Sequence, residues 1–424
     1  MVEKTIWKKI AILGAAKTGI SCANYFSGKG ADVFLSEIRR KSDVELKNLS
    51  RKVKLEFGVH SEKVLSCDIL IPSPGVPSNT PIILEAKKRK IEVLSDIEIF
   101  FLLAKYKMII AITGTNGKTT TTSMITEAIR HTGVKTIVCG NIGSPACDFI
   151  EKSDNDTYVV MEVSSYQLEY TKTFSPHISA ILNITPDHLQ RHKTMENYAN
   201  AKSKIFVNQG KNDFCIFNKN DELCMKLSKK CNSQKKFFPV EKNKKKLDLI
   251  IPGEHNMENA LASIEILNSA GIAEKIILSS LSDFEGVEHR LEFVRVLNGV
   301  TYINDSKGTN VDSTLVAIKS YNQPIILILG GRDKGSPYAP LIPLIRKNVK
   351  KIIAIGEAKE KIFFQLRYSA DIILLDTIKD AVCLAAKIAV SGDVVLLSPS
   401  CASFDQFNNY EERGKFFKKV VNNL

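Results

Sequence analysis

The sequence predicts an α/β protein with three domains, each built on a mainly parallel sheet. Short apolar segments alternate with helical segments, and glycine-containing turns follow several of the apolar segments. Such alternation is typical of parallel strands covered by helices. The pattern begins anew near residues 99 and 287, and 424 residues exceed the usual size of one hydrophobic core. We therefore expect domains at 1–98, 99–286 and 287–424.

Strands are predicted where short apolar runs precede polar or glycine-containing turns. In the first block they occupy residues 9–14, 32–37, 54–58 and 68–73, and in the second 107–114, 137–140, 157–165, 179–185 and 214–218. In the third block they occupy residues 301–306, 324–331, 351–356, 371–375 and 393–399. Helical segments lie between them, including 118–133 and 255–271. The outer two domains are therefore expected to be doubly wound and Rossmann-like.

The net charge of +13 raises the question of a nucleic-acid partner. The stretch from Lys226 to Lys246 holds nine lysines and one glutamate, so it supplies +8 of that charge. A lysine run with few aromatic residues is typical of a solvated surface rather than a nucleic-acid groove. We expect no nucleic-acid partner, and the remaining basic bias suits an anionic small molecule such as a nucleotide.

Cysteine spacing and apolar run length indicate a cytoplasmic protein. The nine cysteines are scattered and none form a CxxC pair, so a disulfide framework or a zinc site is not expected. The apolar run before Lys17 is too short for a signal peptide, and we interpret it as a buried strand. No apolar run is long enough to span a bilayer, so no membrane insertion is expected.

The strongest single motif is ITGTNGKTT at residues 112–120, between a predicted strand and a predicted helix. Gly114 and Gly117 let the backbone turn its N–H groups toward phosphate oxygens, at a helix N-terminus. Lys118 is placed to reach the β- and γ-phosphates, and the Thr119 hydroxyl to bind Mg²⁺. Ile112 stands where the general phosphate-loop pattern has glycine, so the loop is a shorter variant. The central domain is therefore expected to have a P-loop ATPase-like parallel sheet.

Two further side chains end or follow predicted strands of the central domain, and two lysines lie in a later helical segment. Glu162 ends an apolar strand, where a nucleotide-bound Mg²⁺ needs an oxygen ligand. His188, beside Asp187, follows the next strand, although a histidine there is more often a capping or core residue. Lys202 and Lys204 fall in a helical segment, and their spacing alone predicts surface lysines.

Taken together, these motifs resemble the Mur ligase family, and within it the members that add D-glutamate. The resemblance extends over essentially the whole chain, in one order along all three blocks. It rests on residues 114–120, 162–169, 183–192, 201–206, 253–263, 289–293, 304–310, 329–335 and 398–407.

The resemblance implies an ATP-dependent amide ligase of peptidoglycan precursor synthesis. Its substrates would be UDP-N-acetylmuramoyl-L-alanine, D-glutamate and ATP, with Mg²⁺ at two sites. ATP would phosphorylate the substrate carboxylate, and the amino group would attack the acyl phosphate through a tetrahedral intermediate. A carboxylate becomes a good electrophile only when its oxygen is made a leaving group, and Mg²⁺ with lysines would screen the anionic partners.

The resemblance also implies roles for individual residues, carried over position by position. The catalytic residues would be Lys118, Glu162, His188, Lys202, His289 and Arg290. The ATP-binding residues would be Gly114, Thr115, Asn116, Gly117, Lys118, Thr119, Thr120, Asn256, Asn259, Arg290 and Asp305. Thr119 and Glu162 would hold one Mg²⁺, and His188 with Lys202, carbamylated by CO₂, the other. The UDP-substrate residues would be Lys17, Thr18, Glu37, Gly75, Asn141, Ser164 and His188.

The third block would select the incoming amino acid. The residues implied for D-glutamate are Lys307, Thr309, Lys334, Ser403, Phe404 and Tyr410. Lysines with hydroxyl groups suit a substrate that has two carboxylates. Two positions depart from the family's pattern: Gly308 stands where alanine is usual, and Tyr410 where phenylalanine is usual.

Three alternatives remain open from the sequence. The chain could be a Mur-type or folylpolyglutamate-type ligase for another amino acid, a P-loop NTPase that acts as a switch or motor, or a non-catalytic dinucleotide-binding module. The switch or motor leaves the motifs at 304–310 and 398–404 without a role, and the dinucleotide-binding module leaves the central motifs unexplained. We expect a ligase that acts as a monomer.

Overall fold

The computed structural model describes residues 7–240, 247–251, 253–333 and 335–424. It contains three sheets, within residues 9–93, 108–238 and 292–397. The chain forms two compact units. The first comprises Met1–Asp248 with Glu258–Ser282, and the second comprises Leu249–Met257 with Asp283–Leu424. The α/β class predicted from the sequence is confirmed.

The first sheet is fully parallel and has the strand order β3-β2-β1-β4-β5. Its strands are β1 (Lys9–Leu13), β2 (Asp32–Glu37), β3 (Lys54–Phe57), β4 (Ile69–Pro72) and β5 (Glu92–Val93). The associated helices are α1 (Lys17–Gly28), α2 (Pro81–Lys88) and α3 (Asp96–Leu103). The chain reverses direction along the sheet at β1, so the turn after β1 and the turn after β4 meet at one edge, where such folds bind ligands.

The second sheet is also parallel and has the order β11-β10-β9-β6-β8-β7. Its strands are β6 (Met108–Thr113), β7 (Thr136–Gly140), β8 (Tyr158–Glu162), β9 (Ile178–Ile181), β10 (Phe214–Asn218) and β11 (Gln234–Phe238). The helices are α4 (Lys118–Arg130), α5 (Ser165–Leu168), α6 (Leu189–His192), α7 (Met195–Ser203), α8 (Glu222–Ser228), α9 (Glu254–Ser269) and α10 (Glu274–Ser282). The division between the two units falls within α9.

The third sheet has the order β12-β13-β17-β14-β15-β16, and only β12 is antiparallel to its neighbour. Its strands are β12 (Glu292–Leu297), β13 (Val300–Asn304), β14 (Ile325–Gly330), β15 (Val349–Ile355), β16 (Asp371–Leu374) and β17 (Val394–Leu397). The helices are α11 (Val311–Lys319), α12 (Ile342–Asn348), α13 (Lys359–Leu366), α14 (Ile378–Ile388) and α15 (Tyr410–Asn422). The carboxyl ends of β13, β14 and β17 lie side by side at one edge.

The lysine-rich stretch is partly a strand and not wholly a surface excursion. Residues 234–238 form β11, which pairs in parallel with β10 at the edge of the second sheet. Lys235 is exposed there, and the Lys236 ammonium lies 5.0 Å from the centre of the Phe214 ring. Lysines on an edge strand discourage pairing with another chain, which explains why a strand can carry them. Residues 241–246 lie outside the described part.

The turn after β1 depends on close contact between backbone segments. A Cβ added to Gly19 would lie 1.9 Å from the carbonyl oxygen of Gly14. The Ser73 hydroxyl, at the end of β4, donates to that same oxygen at 2.9 Å. Only glycine at position 19 lets α1 begin this close to β1, and so places the first turn of α1 beside the β4 turn.

We predict that Gly19→Ala destabilises this domain by about 1–3 kcal/mol, because the new methyl group overlaps the Gly14 carbonyl. Gly28→Ala is the matched control in the same helix, since an added Cβ there meets nothing within 4 Å. The control should be unchanged or more stable by up to about 1 kcal/mol. Urea denaturation followed by the fluorescence of Trp7, the single tryptophan, reports locally, because its ring lies 6.3 Å from that of Phe26 in α1. Equal stability of both variants would contradict the account.

Candidate active site

The loop between β6 and α4 is shaped by a glycine and held by a lysine. Gly117 has φ +83°, and a Cβ there would lie 2.2 Å from Asn259 Oδ1. Lys118 Nζ donates to the carbonyl oxygens of Gly114 and Thr115, both at 2.8 Å. The loop therefore curls around the lysine amine at the start of α4, which is the geometry of a phosphate-binding loop.

Asn183, which follows β9, supports this loop from the neighbouring strand. Its Oδ1 accepts from the backbone N–H of Asn116 at 2.8 Å, and its backbone carbonyl accepts from Thr115 N at 2.9 Å. The Thr115 hydroxyl in turn donates to Thr185 O at 3.1 Å. Sequence reasoning missed Asn183, although its place directly after a strand adjacent to β6 was an available signal. The loop is thus held by hydrogen bonds to the segment that follows β9.

Glu162 lies at the end of β8 with only 2% of its surface exposed. Its Oε2 accepts from the Thr119 hydroxyl at 2.8 Å, and its Oε1 accepts from Asn141 Nδ2 at 2.7 Å. A buried hydroxyl–carboxylate pair beside a phosphate loop is a hard-oxygen donor set. It suits Mg²⁺, which takes one or two protein oxygens and completes its shell with phosphates and water.

Within the described ranges, no group of three or more His, Cys, Asp or Glu side chains is arranged to hold a metal. A second ion near His188 would therefore need oxygen ligands beyond those four residue types. His188 has φ +55°, and its Nε2 lies 3.4 Å from Asp187 Oδ2. Its ring centre lies 4.9 Å from that of Tyr166 and 6.4 Å from that of Tyr198.

Lys202 is buried to 1% exposure, so the surface lysine predicted from spacing alone is wrong. Its Nζ donates to Gly114 O at 2.7 Å and lies 4.5 Å from the centre of the Tyr198 ring. Burial, reinforced by the positive charge of Lys118, holds the pKa of Lys202 well below the usual lysine value. Helix α7 places it there because Tyr198 and Lys202, four residues apart, lie on the face packed against the phosphate loop. A lowered pKa favours the neutral form of the amine, which is the nucleophilic form.

The neighbouring Lys204 differs from Lys202 in degree. It is half-buried, and its Nζ donates to Glu169 O at 2.7 Å. Burial also lowers the pKa of Lys204, while the charge of Glu169 opposes that shift. Lys202 and Lys204 therefore differ in burial, and their spacing in the sequence does not predict that difference.

The amino end of α1 presents the predicted phosphate contacts. Lys17 is exposed and Thr18 is half-buried in the first helical turn after β1.

Glu37, predicted to face the nucleotide, is 3% exposed at the end of β2. Its carboxylate accepts from Ala15 N at 2.7 Å and from the Arg39 guanidinium at 2.9 Å. Burial alone would raise the pKa of Glu37, but the Arg39 and Ala15 hydrogen bonds lower it to about 2. The carboxylate thus organises this turn, and Arg39, half-exposed, is a ligand candidate that sequence reasoning missed.

Two further predicted residues of the first unit, Gly75 and Ser164, follow the strands β4 and β8. Gly75 is exposed in the turn after β4, and the preceding carbonyl, Pro74 O, accepts from Arg191 at 2.9 Å. Ser164 caps α5 in a capping box with Gln167. Arg191 also pairs with Glu169 at 2.7 Å, so its guanidinium joins the turn after β4 to the residue that follows α5. Sequence reasoning gave no role to Arg191, although it lies within the motif at 183–192.

In the second unit, His289 is 2% exposed and has φ +66°. Its Nδ1 lies 3.0 Å from Asn304 Nδ2, which assigns the proton of the neutral ring to Nε2. Burial lowers the pKa of His289. The next residue, Arg290, is half-buried, and its charge assists burial in lowering the pKa of His255 to about 4.

Asp305, predicted to face the ribose, is 4% exposed at the end of β13. Its Oδ2 accepts from the Ser398 hydroxyl at 2.7 Å, and its Oδ1 accepts from Leu291 N at 3.3 Å. Burial raises the pKa of Asp305 to about 7. A Cβ added to Gly308 would lie 2.3 Å from Asp305 Oδ2, so the glycine that departs from the family's pattern fits this local packing.

The predicted amino-acid residues lie on loops at one edge of the third sheet. Lys307 follows β13, and its Nζ lies 5.6 Å from the centre of the Tyr410 ring. Thr309 is half-buried close by, Ser403 is 2% exposed in the loop after β17, and Phe404 is 59% exposed. Lys334 lies outside the described residues. Asn256, predicted for adenine, lies one turn before Asn259 on α9.

We predict that Lys202→Met raises the stability of the chain at pH 7 by about 0.5–2 kcal/mol, measured by denaturation in CO₂-free buffer. Because the pKa of Lys202 is lower in the folded chain, the unfolded chain binds more protons between the two pKa values, and stability rises with pH across that window. Burial of the charged amine therefore lowers the free energy of unfolding most below this window, and this loss vanishes above the ordinary lysine pKa of 10.5. The gain in the variant should shrink toward pH 10. Lys204→Met is the control and should gain less. A gain independent of pH, or a loss at pH 7, would contradict the account.

Comparison with known families shows three consecutive matches. Residues 8–95 match the MurD-like N-terminal domain of Mur ligases, residues 112–249 the Mur ligase middle domain, and residues 289–401 the Mur ligase glutamate ligase domain. In the part of the chain that the structure describes, no helix is both long and apolar enough to cross a membrane.

Curated relatives match along the whole chain. The chain is 41% identical to UDP-N-acetylmuramoylalanine–D-glutamate ligase of Koribacter versatilis, covering 98% of both chains. It is 42% identical to the enzyme of the same name from Clostridioides difficile, covering 98% of this chain and 99% of that one.

Solved structures share the fold at low identity. UDP-N-acetylmuramate–alanine ligase MurC of Thermotoga maritima has TM-score 0.61 at 19% identity, covering 98% of this chain and 99% of that one. FolC of E. coli, in complex with DHPP and ADP, has TM-score 0.59 at 14% identity, covering 78% and 93%. The full-length identity to curated relatives and the three domain matches establish that this chain belongs to the Mur ligase family, alongside its UDP-N-acetylmuramoylalanine–D-glutamate ligases.

Proposed function

We propose that this chain joins D-glutamate to UDP-N-acetylmuramoyl-L-alanine with ATP, as its curated relatives do by name. The observation that carries the chemistry is the phosphate loop of the first unit. There, Lys118 and Lys202 both reach the Gly114 carbonyl, and Thr119 is paired with the buried Glu162. This arrangement supplies amines, a helix N-terminus and a metal-binding oxygen pair at one place.

The loop would hold the nucleotide phosphates while the γ-phosphoryl group moves to the substrate carboxylate. Backbone N–H groups at the start of α4 orient the phosphates, and Lys118 neutralises charge that develops on the transferred group. Mg²⁺ held at Thr119 and Glu162 would add further charge neutralisation. Residues 114–120 with Asn259 are the proposed ATP contacts of the first unit, and Asn256, Arg290 and Asp305 those of the second.

Lys202 is proposed to act as a carbamate at a second Mg²⁺ beside His188. An amine attacks CO₂ only when it is neutral, and the low pKa of the buried Lys202 supports that state. The product would bear a carboxylate-like group with a negative charge, which would suit a hard cation such as Mg²⁺. The Lys202→Met variant, although more stable, should then form no product. A fully active variant would remove Lys202 from the site.

The UDP substrate is proposed to bind at the carboxyl edge of the first sheet, with its peptide end beside β8. Lys17 and Thr18 lie at the amino end of α1, where a diphosphate is favoured by the helix dipole. The rest of the substrate is proposed to contact Gly75 after β4, Ser164 after β8, and Asn141, which donates to Glu162. Glu37 remains a proposed nucleotide contact at that turn, and it also orients the Arg39 guanidinium beside it.

The amino acid is proposed to bind to the second unit. Lys307, Thr309, Ser403, Phe404 and Tyr410 are the described candidates, and Lys334 remains one from the sequence. Deprotonation of the incoming ammonium group makes its nitrogen nucleophilic toward the acyl phosphate, and the tetrahedral adduct expels phosphate to leave the amide. Basic and hydroxyl groups at these loops suit the two carboxylates of glutamate.

The same proposal includes the domain division at 1–98, 99–286 and 287–424, a cytoplasmic location and a monomeric state. The three sheets and the three domain matches support the division. A nucleotide-linked sugar and ATP are both cytoplasmic metabolites, which supports the location.

The direct test measures phosphate release from ATP with UDP-N-acetylmuramoyl-L-alanine across a panel of L- and D-amino acids, with mass analysis of the product. We expect release only with D-glutamate, and a product heavier by one glutamate residue. Release with another amino acid would keep the ligase mechanism and overturn the assignment of the second unit. No release with any of them would overturn the proposed function.

A further inference from the structure

Arg413 is a buried arginine in the first turns of α15 that the proposed mechanism does not use. It is 2% exposed and is among the largest fully buried side chains of the described chain. Arginine is seldom buried to this extent, because its charge must be compensated by hydrogen bonds or by an acid. The contacts of its guanidinium therefore indicate what it does.

The guanidinium joins the two loops that carry the proposed amino-acid contacts. Its Nε donates to Ser306 Oγ at 3.0 Å, and its NH2 donates to Ser306 O at 2.8 Å. The same planar group reaches Cys401 O at 3.1 Å and Ala402 O at 3.2 Å. These acceptors stand immediately before two proposed glutamate contacts, because Ser306 precedes Lys307 and Ala402 precedes Ser403.

A third proposed contact is tied to the same group. The Ser306 hydroxyl, which accepts from Arg413, donates to the backbone carbonyl of Tyr410 at 2.8 Å. One further bond joins the loops directly, from Ser400 N to Gly308 O at 2.8 Å. A single side chain thus sets the spacing of the backbone at 306, 402 and 410, which a lysine with one point of attachment cannot reproduce.

The charge of Arg413 is compensated by carbonyl dipoles and not by an acid. The described hydrogen bonds of its guanidinium go to the Ser306 hydroxyl and to backbone carbonyls, and Asp305 and Asp405 act on it through charge alone. Burial lowers the pKa of Arg413 to about 10, which leaves it positive at neutral pH, whereas burial raises the pKa of Asp305 to about 7. Arg413 therefore contributes positive charge behind the loops where an anionic amino acid is proposed to bind.

We infer that Arg413 is a positioning residue for the acidic amino-acid substrate, holding residues 306–309 and 401–403 in register and contributing positive charge behind them. This inference rests on the proposed function, since it concerns the binding of a dicarboxylic amino acid at those loops. It assigns Arg413 no contact with the substrate. Its effect is on the affinity for the amino acid and not on the ATP or UDP-substrate sites.

The experiment compares Arg413→Lys and Arg413→Gln with the unaltered chain, by steady-state kinetics in D-glutamate, ATP and UDP-N-acetylmuramoyl-L-alanine. We expect the KM for D-glutamate to rise about tenfold or more in Arg413→Gln, while the KM values for the other two substrates change less than about twofold. Arg413→Lys keeps the positive charge but loses the planar guanidinium and most of its hydrogen bonds. Its KM for D-glutamate should therefore lie between those of the unaltered chain and Arg413→Gln.

Arg295→Met is the matched control. Its guanidinium donates to Val421 O and Asn422 O at the other end of the same helix, so it also loses arginine–carbonyl bonds in the second unit. It should keep the KM for D-glutamate. If Arg413→Gln does not fold, Ser306→Ala replaces it, because that change removes one acceptor and keeps the arginine, and it should raise the same KM by a smaller factor.

Two results would overturn the inference. One is an unchanged KM for D-glutamate in folded Arg413 or Ser306 variants. The other is a parallel rise of all three KM values together with a lower thermal midpoint, which indicates general destabilisation. Failure of the proposed function gives a different signature, because the unaltered chain itself would then show no phosphate release that depends on D-glutamate.

Discussion

The site depends on one carbonyl oxygen that accepts from two lysines. Gly114 O receives Lys118 Nζ at 2.8 Å and Lys202 Nζ at 2.7 Å. Two ammonium groups this close would repel each other strongly in a buried setting. Burial and the charge of Lys118 both lower the pKa of Lys202, so the more buried of the two amines gives up its proton more readily. The two lysines at the phosphate loop therefore differ in basicity, and their different proposed roles rest on that difference.

Neighbouring residues hold the phosphate loop and its two lysines, Lys118 and Lys202, in place. Gly117 allows the loop to curl, Asn183 braces it from β9, and Tyr198 packs against Lys202 from α7. Glu162 supplies the negative charge opposite the amines, and its two oxygens are already oriented by Thr119 and Asn141. Such pre-orientation means that little rearrangement is needed when charge develops during phosphoryl transfer.

The second unit solves a similar problem with different means. Its loops carry the proposed contacts to a dicarboxylic amino acid. Arg413 holds them through three hydrogen bonds to backbone carbonyls and one to the Ser306 hydroxyl. Burial lowers the pKa of both Lys202 and Arg413, but a guanidinium starts from a much higher value and stays positive at neutral pH. Lysine at 202 and arginine at 413 therefore respond differently to the same burial.

Much of the fold could be predicted from the sequence, because strand periodicity and turn glycines are local signals. The predicted strands at 9–14, 32–37 and 214–218 correspond to strands of the structure within a residue. The short β5, the lysine-bearing β11 and the antiparallel β12 were missed, since edge strands need not be apolar.

The site was less predictable, because burial and pairing arise from distant segments. Spacing alone predicted Lys202 to be exposed, and no local signal showed that the Glu37 carboxylate binds Ala15 and Arg39. Arg413 lies in a charged helical sequence, where nothing marks it as buried. The family resemblance selected Lys202, and only packing explains its chemistry.

The central claim is that the phosphate loop transfers phosphate to a carboxylate oxygen of the UDP substrate. It is tested most directly with UDP-N-acetylmuramoyl-L-alanine labelled with ¹⁸O in its terminal carboxylate, in a reaction with ATP and D-glutamate. The account predicts that each released phosphate carries one ¹⁸O atom, because the acyl oxygen leaves with the phosphoryl group. Unlabelled phosphate, released at the same rate as product, would contradict it.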